Sequence, residues 1–282
     1  MASRQNSTKI NARELLSKYS GKLPAAELDQ LLSLAWHKNI EYIYKHPEFK
    51  ISVSTAKTFN SLVVKRLAGW SLAYLKGYKE FFGYKFLVSP HTLIPRPESE
   101  LIIEETLKYL KQSKIKRANI LDVGTGSGCL ILSIAKNYAE AQYTAVDISI
   151  KALRIAKTNA RKLGLKNKVK FIKSNLLKKL KDQTFDIVIA NLPYLTPQQL
   201  KEPSIKKEPR VALLAGSDGL SYYRKLLEQL TEHLSKKYII LLEIDPSQKE
   251  LIQETIKAKL PKAKIKLLKD LAGHIRIVKI TN

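Results

Sequence analysis

The 282-residue chain is 44% hydrophobic, enough for one large domain or two ordinary ones around true cores, and it is strongly basic, with a formal net charge of +25. Its opening residues, "MASRQNSTKINARELL", have no apolar leader core, and no later run approaches the roughly 18 apolar residues of a membrane span, so a soluble cytoplasmic protein is expected. One cysteine, Cys129, excludes an internal disulfide and any multi-cysteine zinc site, and five scattered histidines lack metal-ligand spacing, so no metal is expected.

Residues 8 to 76 read as small amphipathic helices packed on one another. "TKINARELLSKYSG" stops at Gly21, Pro24 opens "PAAELDQLLSLAWHKN", and Ser54 is placed to cap "STAKTFNSLVVKRLAGW". Leu28, Leu31, Leu32 and Ala35 recur at helical spacing, as do Phe59, Leu62, Val63 and Leu67. In "FFGYKFLVSPHTLIP", residues 81 to 95, aromatic and β-branched residues alternate with turn formers, which predicts a β-hairpin linking two domains. From residue 98 strands alternate with helices, the pattern of a parallel sheet covered on both faces. The strands are "ANILDV" (118 to 123), "QYTAVD" (142 to 147), "VKFIKS" (169 to 174), "FDIVIA" (185 to 190) and "KYIILLEI" (237 to 244). Ser149 and Gly164 bound the helix "SIKALRIAKTNARKLG". "AKIKLLKD" and "HIRIVKI", separated by "LAG", should pair as a hairpin and so place one antiparallel strand in the sheet.

The first of these strands runs into "DVGTGSG", residues 122 to 128, and then into a helix. Alternate glycines let the backbone approach a ligand, and the helix N-terminus beyond offers unpaired N–H groups, so a nucleotide-like ligand belongs there. Cys129, just past the run, reads as a small core residue. The second strand ends in Asp147, where a carboxylate can accept both hydroxyls of a ribose; together with the glycines it points to an adenosine-containing cofactor.

"NLPY", residues 191 to 194, ends the fourth strand. Methyltransferases that act on amino groups with S-adenosylmethionine carry such a tetrapeptide beside the sulfonium. An amide or aromatic amine is a poor nucleophile because its lone pair is delocalised. The Asn191 side-chain oxygen and the Leu192 carbonyl can each accept one N–H and aim that lone pair at the methyl. Pro193 stiffens the turn, and Tyr194 offers a ring face to a planar group.

These residues resemble the HemK/PrmC family, the protein-(glutamine-N5) methyltransferases that modify bacterial peptide chain release factors. The likeness runs over nearly the whole chain. It is most specific in "LAYLKGYKEFFGYKFLVSPHTLIPRPESELII", residues 72 to 103, which is similar to a linker hairpin followed by an "IPRPxTE" signature, with Ser99 where Thr is usual. "LDVGTGSGCLILSIA", "FDIVIANLPYL" and "EPRVALLAGSDGLSYYRKLL" match in order and spacing.

The resemblance implies a class I S-adenosylmethionine-dependent methyltransferase: an α/β, Rossmann-like, mostly parallel sheet with an antiparallel final strand in residues 98–282. It implies a helical substrate-recognition domain over 1–77 and a β-hairpin linker over 78–97. The implied substrate is the glutamine of the Gly-Gly-Gln loop of a class 1 release factor, with S-adenosylhomocysteine as the second product and a monomer as the working form. Carried over by position, Gly124, Thr125, Gly126, Ser127 and Gly128 wrap the cofactor's amino-acid end, Asp147 holds the ribose, and Asn191, Leu192, Pro193 and Tyr194 bind the glutamine, with Asn191 also beside the cofactor. Asn175 and Leu176 face the adenine, and Arg96 and Pro97 close the site, their structural alternative being a rigid turn tied down by an ion pair.

There are departures. Leu192 replaces the first proline of the usual "NPPY", Asn175 stands where an acid is common, and "LLEIDPSQ" lacks the glycine often found after Glu243.

Leucine in "NLPY" is also the form of enzymes that dimethylate adenine N6 in ribosomal RNA, and the charge makes those the competing reading. In them the extra helices follow the sheet, whereas here they precede it. Of the 50 basic residues, ten are arginines and 40 are lysines spread over every segment. Lysine is a solvated point charge and arginine the usual bidentate phosphate ligand, so the excess reads first as compositional bias, with attraction to an acidic protein or ribosomal RNA as the alternative. A third reading, a methyltransferase-like fold kept only to bind RNA, is disfavoured by the intact glycine run, Asp147 and Asn191.

Overall fold

The structure is a computed structural model that describes residues 10–113, 115 and 117–282, so the first two residues of the helical segment read from residue 8 lie outside it. The chain forms two compact units, one ending at Lys76 and the other running from Gly77 to Asn282.

In the first unit, α1 (Ala12–Ser17) is opened by a capping box between Asn11 and Glu14 and ends four residues before Gly21. Pro24 precedes α2 (Ala25–Trp36), which stops at the left-handed His37. The short α3 (Ile40–Lys45) is capped by Asn39, a helix the periodicity does not reveal. For α4 (Val53–Leu67) the cap is Ser52, whose side chain accepts the Thr55 N–H, and not Ser54 as expected. The unit closes with α5 (Leu72–Lys76). Leu28, Leu31, Leu32, Phe59 and Val63 are buried together as expected, whereas Leu67 is exposed. Arg66 donates twice to Glu27, at 2.6 and 3.0 Å, fastening α4 to α2.

The second unit begins with the hairpin β1 (Tyr78–Phe81) and β2 (Tyr84–Leu87), which starts three residues before the 81–95 window expected for it and ends within that window. Phe82 and Gly83 both have positive φ, as a two-residue turn matched to strand twist requires. Phe81 and Phe86 turn into the core edge to face at 6.2 Å. After a loop comes α6 (Glu100–Ser113), then β3 (Asn119–Val123), α7 (Cys129–Asn137), β4 (Gln142–Asp147), α8 (Ile150–Lys162), β5 (Val169–Lys173) and β6 (Phe185–Ala190). The remainder is α9 (Ser221–Leu230), β7 (Leu234–Glu243), α10 (Lys249–Lys259), β8 (Lys264–Lys269) and β9 (Ile275–Thr281).

The seven strands lie in the order β5-β4-β3-β6-β7-β9-β8. Every pairing is parallel except those of β9, which runs antiparallel to both neighbours. Alternation divides the sheet between two cores. Ile120, Ile187 and Leu241 face one, with α6 and α7; Leu121, Val188 and Leu242 face the other, with α9 and α10. Burial on both faces is why these strands read as unbroken apolar runs. The strand order reverses between β3 and β6, and the carboxyl ends of those strands flank the crevice where open α/β sheets hold ligands. Among the described residues no helix is long and apolar enough to cross a membrane.

Candidate active site

At that crevice lies a partly open cavity. Its wall is built by the glycine loop after β3, the end of β4, the loop after β5, the turn after β6 and the 91–99 segment.

The glycine loop is bent by positive φ at Gly124, Gly126 and Gly128. At Gly124 the need for glycine is steric as well, since a Cβ would stand 2.8 Å from the Leu192 side chain. The first motif therefore leaves room for the last. Gly128 caps α7, and a Cβ there would meet Leu132 at 2.9 Å, so it serves helix packing and stands back from the cavity wall. Buried Asp122 accepts the Thr125 hydroxyl at 2.6 Å and pins the loop; burial pushes its carboxyl up to about 7. Asp147 accepts the Gly126 N–H at 2.9 Å and the Ser149 N–H at 2.8 Å. Its pKa is raised by burial against the lowering effect of those N–H groups.

Asn159, buried on α8, ties this loop to the hairpin. Its Nδ2 donates to the Ser127 and Leu87 carbonyls, and its Oδ1 accepts the Leu87 N–H. Nothing in the sequence singles it out, because an asparagine inside a helix is ordinarily a solvated residue.

Beyond β5, Asn175 is exposed at the cavity and Leu176 lines it from a left-handed conformation, φ 51. Beyond β6, Asn191, Leu192 and Pro193 form the opposite wall. Asn191 Nδ2 donates to Ser99 Oγ at 3.0 Å, while its Oδ1 is buried with no partner among the described residues. Leu192 N–H donates to the Tyr223 hydroxyl at 3.2 Å, which in turn donates to the Glu243 carbonyl. Tyr194 turns inward, its hydroxyl 3.2 Å from Glu243 Oε1, and does not line the cavity; Tyr222 does. Burial and neighbouring Glu243 raise the Tyr194 pKa far above its ordinary value. Burial also pushes the Cys129 thiol up to about 12, which suits a packing residue and not a nucleophile, although Cys129 lines the cavity.

Arg96 and Pro97 are absent from the wall. Arg96 forms an ion pair with buried Glu208, which also accepts the Ile94 N–H at 3.2 Å, and this binds the 91–99 segment to the loop before α9. Pro95 and Ser99 are the members of the signature that reach the cavity. Ser99, Tyr223 and Glu243 are the site residues that sequence reasoning missed. The available signals were the place of Ser99 in the signature and an acid, Glu243, closing an apolar strand beside β6.

These features suit an S-adenosyl cofactor. The loop stays open at Gly126, where a Cβ would meet nothing nearer than the Gly124 carbonyl at 3.9 Å, Ser127 Oγ and Asn191 Oδ1 are buried polar atoms with no partner among the described residues, and Asp147 retains acceptor capacity at the strand end. No group of three or more His, Cys, Asp or Glu side chains among the described residues could hold a metal ion.

The methyltransferase-domain family matches residues 114–277. A release factor glutamine methyltransferase of Rhodopirellula baltica is 37% identical over 226 residues, 78% of this chain and 76% of that protein. The chain belongs to the release factor glutamine methyltransferase family. Longer relatives exist too: the bifunctional methyltransferase of Rickettsia bellii is 31% identical over 92% of this chain and 51% of its own length. The chain thus spans about half the length of the Rickettsia relatives it matches. Among solved structures, the hMettl16 catalytic domain in complex with MAT2A 3'UTR hairpin 1 superposes with a TM-score of 0.57. It covers 100% of this chain and 94% of that one at 14% identity, a likeness of fold alone. The fold is that of a class I S-adenosylmethionine-dependent methyltransferase.

Proposed function

We propose that the chain transfers a methyl group from S-adenosylmethionine to the side-chain amide nitrogen of the glutamine in the Gly-Gly-Gln loop of a class 1 release factor. The observation that carries this reading is the Asn191 carboxamide oxygen, buried and without a partner among the described residues, in the cavity wall beside the glycine loop. A buried acceptor left open in this way is costly unless a donor arrives. A primary amide brings two N–H groups, one for Asn191 Oδ1 and one for the Leu192 carbonyl.

Held so, the amide nitrogen presents its lone pair toward the cofactor side of the cavity, and orientation replaces a strong general base. Asp147 and the Gly124–Gly128 loop are assigned to hold the ribose and amino-acid end of the cofactor, and Asn175 and Leu176 the adenine. When bound, S-adenosylmethionine would supply an electrophilic methyl on a sulfonium, with S-adenosylhomocysteine and the proton released from the methylated nitrogen as the other products. Pro193 keeps the turn stiff. Tyr194 is assigned to the support of that turn through Glu243, in place of the ring face expected from sequence.

The helical unit is assigned to recognition of the release factor in the cytoplasm, with the protein acting as a monomer. The exposed lysines Lys38, Lys45 and Lys57 would steer an acidic face of the substrate, and no nucleic acid is required. The names of relatives such as that of Rhodopirellula baltica support glutamine over adenine as the acceptor. Tritium transfer from labelled cofactor to purified release factor, with naked ribosomal RNA as the comparison, tests it. Labelled RNA with unlabelled protein would refute it.

A further inference from the structure

Ser99 and Glu243 lie 144 residues apart in the chain, yet with Asn191 they form a line of hydrogen bonds in which the direction of each bond is determined. Glu243, 1% exposed at the end of β7, can only accept when ionised. The Ser99 hydroxyl, itself 2% exposed, has one proton and gives it to Glu243 Oε2, so its oxygen is left as an acceptor. Of the two edges of the Asn191 carboxamide, only Nδ2 can supply a hydrogen to that oxygen. The other edge, Oδ1, is thereby left with no partner among the described residues. Without the carboxylate the serine could donate instead, and the amide could rotate by half a turn and present its NH2 group where an acceptor is needed.

We propose that Glu243, acting through Ser99, fixes the orientation of the Asn191 carboxamide, so that its oxygen faces the incoming amide. This rests on the reading of Asn191 as the group that positions the substrate. Ser99 and Glu243 are positioning residues: neither touches the reacting atoms. The hydroxyl is the part of Ser99 that matters here, which accounts for a serine in a signature where threonine is usual. Tyr194 supports the same polarity by donating to Glu243 Oε1.

The relay is pH-sensitive. Burial raises the Glu243 carboxyl to about 7. Hydrogen bonds from Ser99 and from Tyr194 on the turn lower it, Glu98 in the turn before α6 raises it, and Arg276 on β9 lowers it. Tyr223 on α9 reaches only the backbone carbonyl, and the Cys129 thiol on α7 stays neutral. Above that value the carboxylate can only accept and the sense is fixed; below it the carboxylic acid can also donate, and the sense is no longer fixed.

The test uses the intact chain and two readouts. By NMR, the Asn191 side-chain NH2 resonance should move with the same pH midpoint as the Glu243 carboxyl carbon in wild type, and should not move over that range in Glu243→Gln. In single-turnover methylation, Ser99→Ala should lower the rate about 10²-fold with cofactor Kd changed less than about twofold, and Ser99→Thr should recover most of the loss. The acid limb of the wild-type rate profile should be missing in Glu243→Gln, whose neutral oxygen can still accept from Ser99. An Asn191 resonance blind to Glu243, a Ser99→Ala variant at wild-type rate, or a Ser99→Thr variant as slow as Ser99→Ala would each overturn the proposal. If wild type methylates no glutamine, the functional reading fails, and the NMR titration, which needs neither cofactor nor turnover, still decides the relay.

Discussion

Tyr223→Phe removes one oxygen atom and opens no cavity, so its effect isolates the hydrogen bonds that anchor the "NLPY" turn. The side chain is fully buried, and its hydroxyl accepts the Leu192 N–H at 3.2 Å while donating to the Glu243 carbonyl. The variant strands the Leu192 N–H in a buried site, at a cost of about 1–3 kcal/mol, and the carbonyl, which has a second lone pair, adds less, for a total of roughly 2–4 kcal/mol. For a unit of this size each kcal/mol lowers the melting temperature by about 2–4 °C, so a fall of roughly 5–15 °C is expected by calorimetry. Because Leu192 adjoins Asn191, the methylation rate should fall while cofactor affinity, assigned to Asp147 and the glycine loop, stays near wild type. A variant that melts within about 2 °C of wild type and turns over normally would refute the claim that Tyr223 anchors the turn.

Asp147→Ala should weaken cofactor binding about 10- to 100-fold by calorimetry, the worth of hydrogen bonds to a charged group, while the circular-dichroism spectrum stays unchanged. Asn191→Ala should retain cofactor binding and lose about 10²- to 10³-fold in single-turnover rate, as when one preorganised polar group is removed. Asp122 and Glu243 have carboxyls raised to about 7 by burial, so the folded protein binds their protons more tightly than the unfolded chain does. The stability they contribute is present at low pH and fades as pH rises through about 4 to 7; melting scans should show this decline in wild type and a shallower one in Glu243→Gln. A chain beginning at Gly77 should bind cofactor normally and methylate intact release factor with a raised KM. Wild type should lose part of that advantage as salt is raised, because exposed lysine charges are screened.

The strands of the sheet were legible because burial on both faces leaves little but apolar residues in them: β4 and β6 fall where their runs begin and end. Helix α8 was legible for a different reason, its ends being marked by Ser149 and Gly164. Two serines two residues apart are equally suited to cap α4, and only the backbone geometry selects Ser52. The hairpin's first strand was set three residues too late because "FFGYKF" is as apolar as a strand, whereas Phe82 and Gly83 within it make the turn. Helices α3 and α5, six and five residues long, are too short for a periodicity to declare itself. At the site, the glycine loop, Asp147 and the Asn191 turn could be read because each is local. The Ser99–Asn191 contact spans 92 residues and the Arg96–Glu208 pair 112, and no local pattern encodes partners that only the topology brings together.

Asn159 gives the glycine loop a remote witness. Its carboxamide has committed both hydrogens and its oxygen, holding the Ser127 carbonyl with one hydrogen and Leu87 in the hairpin with the other hydrogen and the oxygen. Whatever steadies the loop steadies the Leu87 peptide through that shared side chain. Filling of the cavity should then be registered in the solvent exchange of a single strand-end amide proton, at Leu87, outside the cavity wall. Occupancy could be followed there by mass spectrometry in unlabelled protein, without waiting for a methyl group to move.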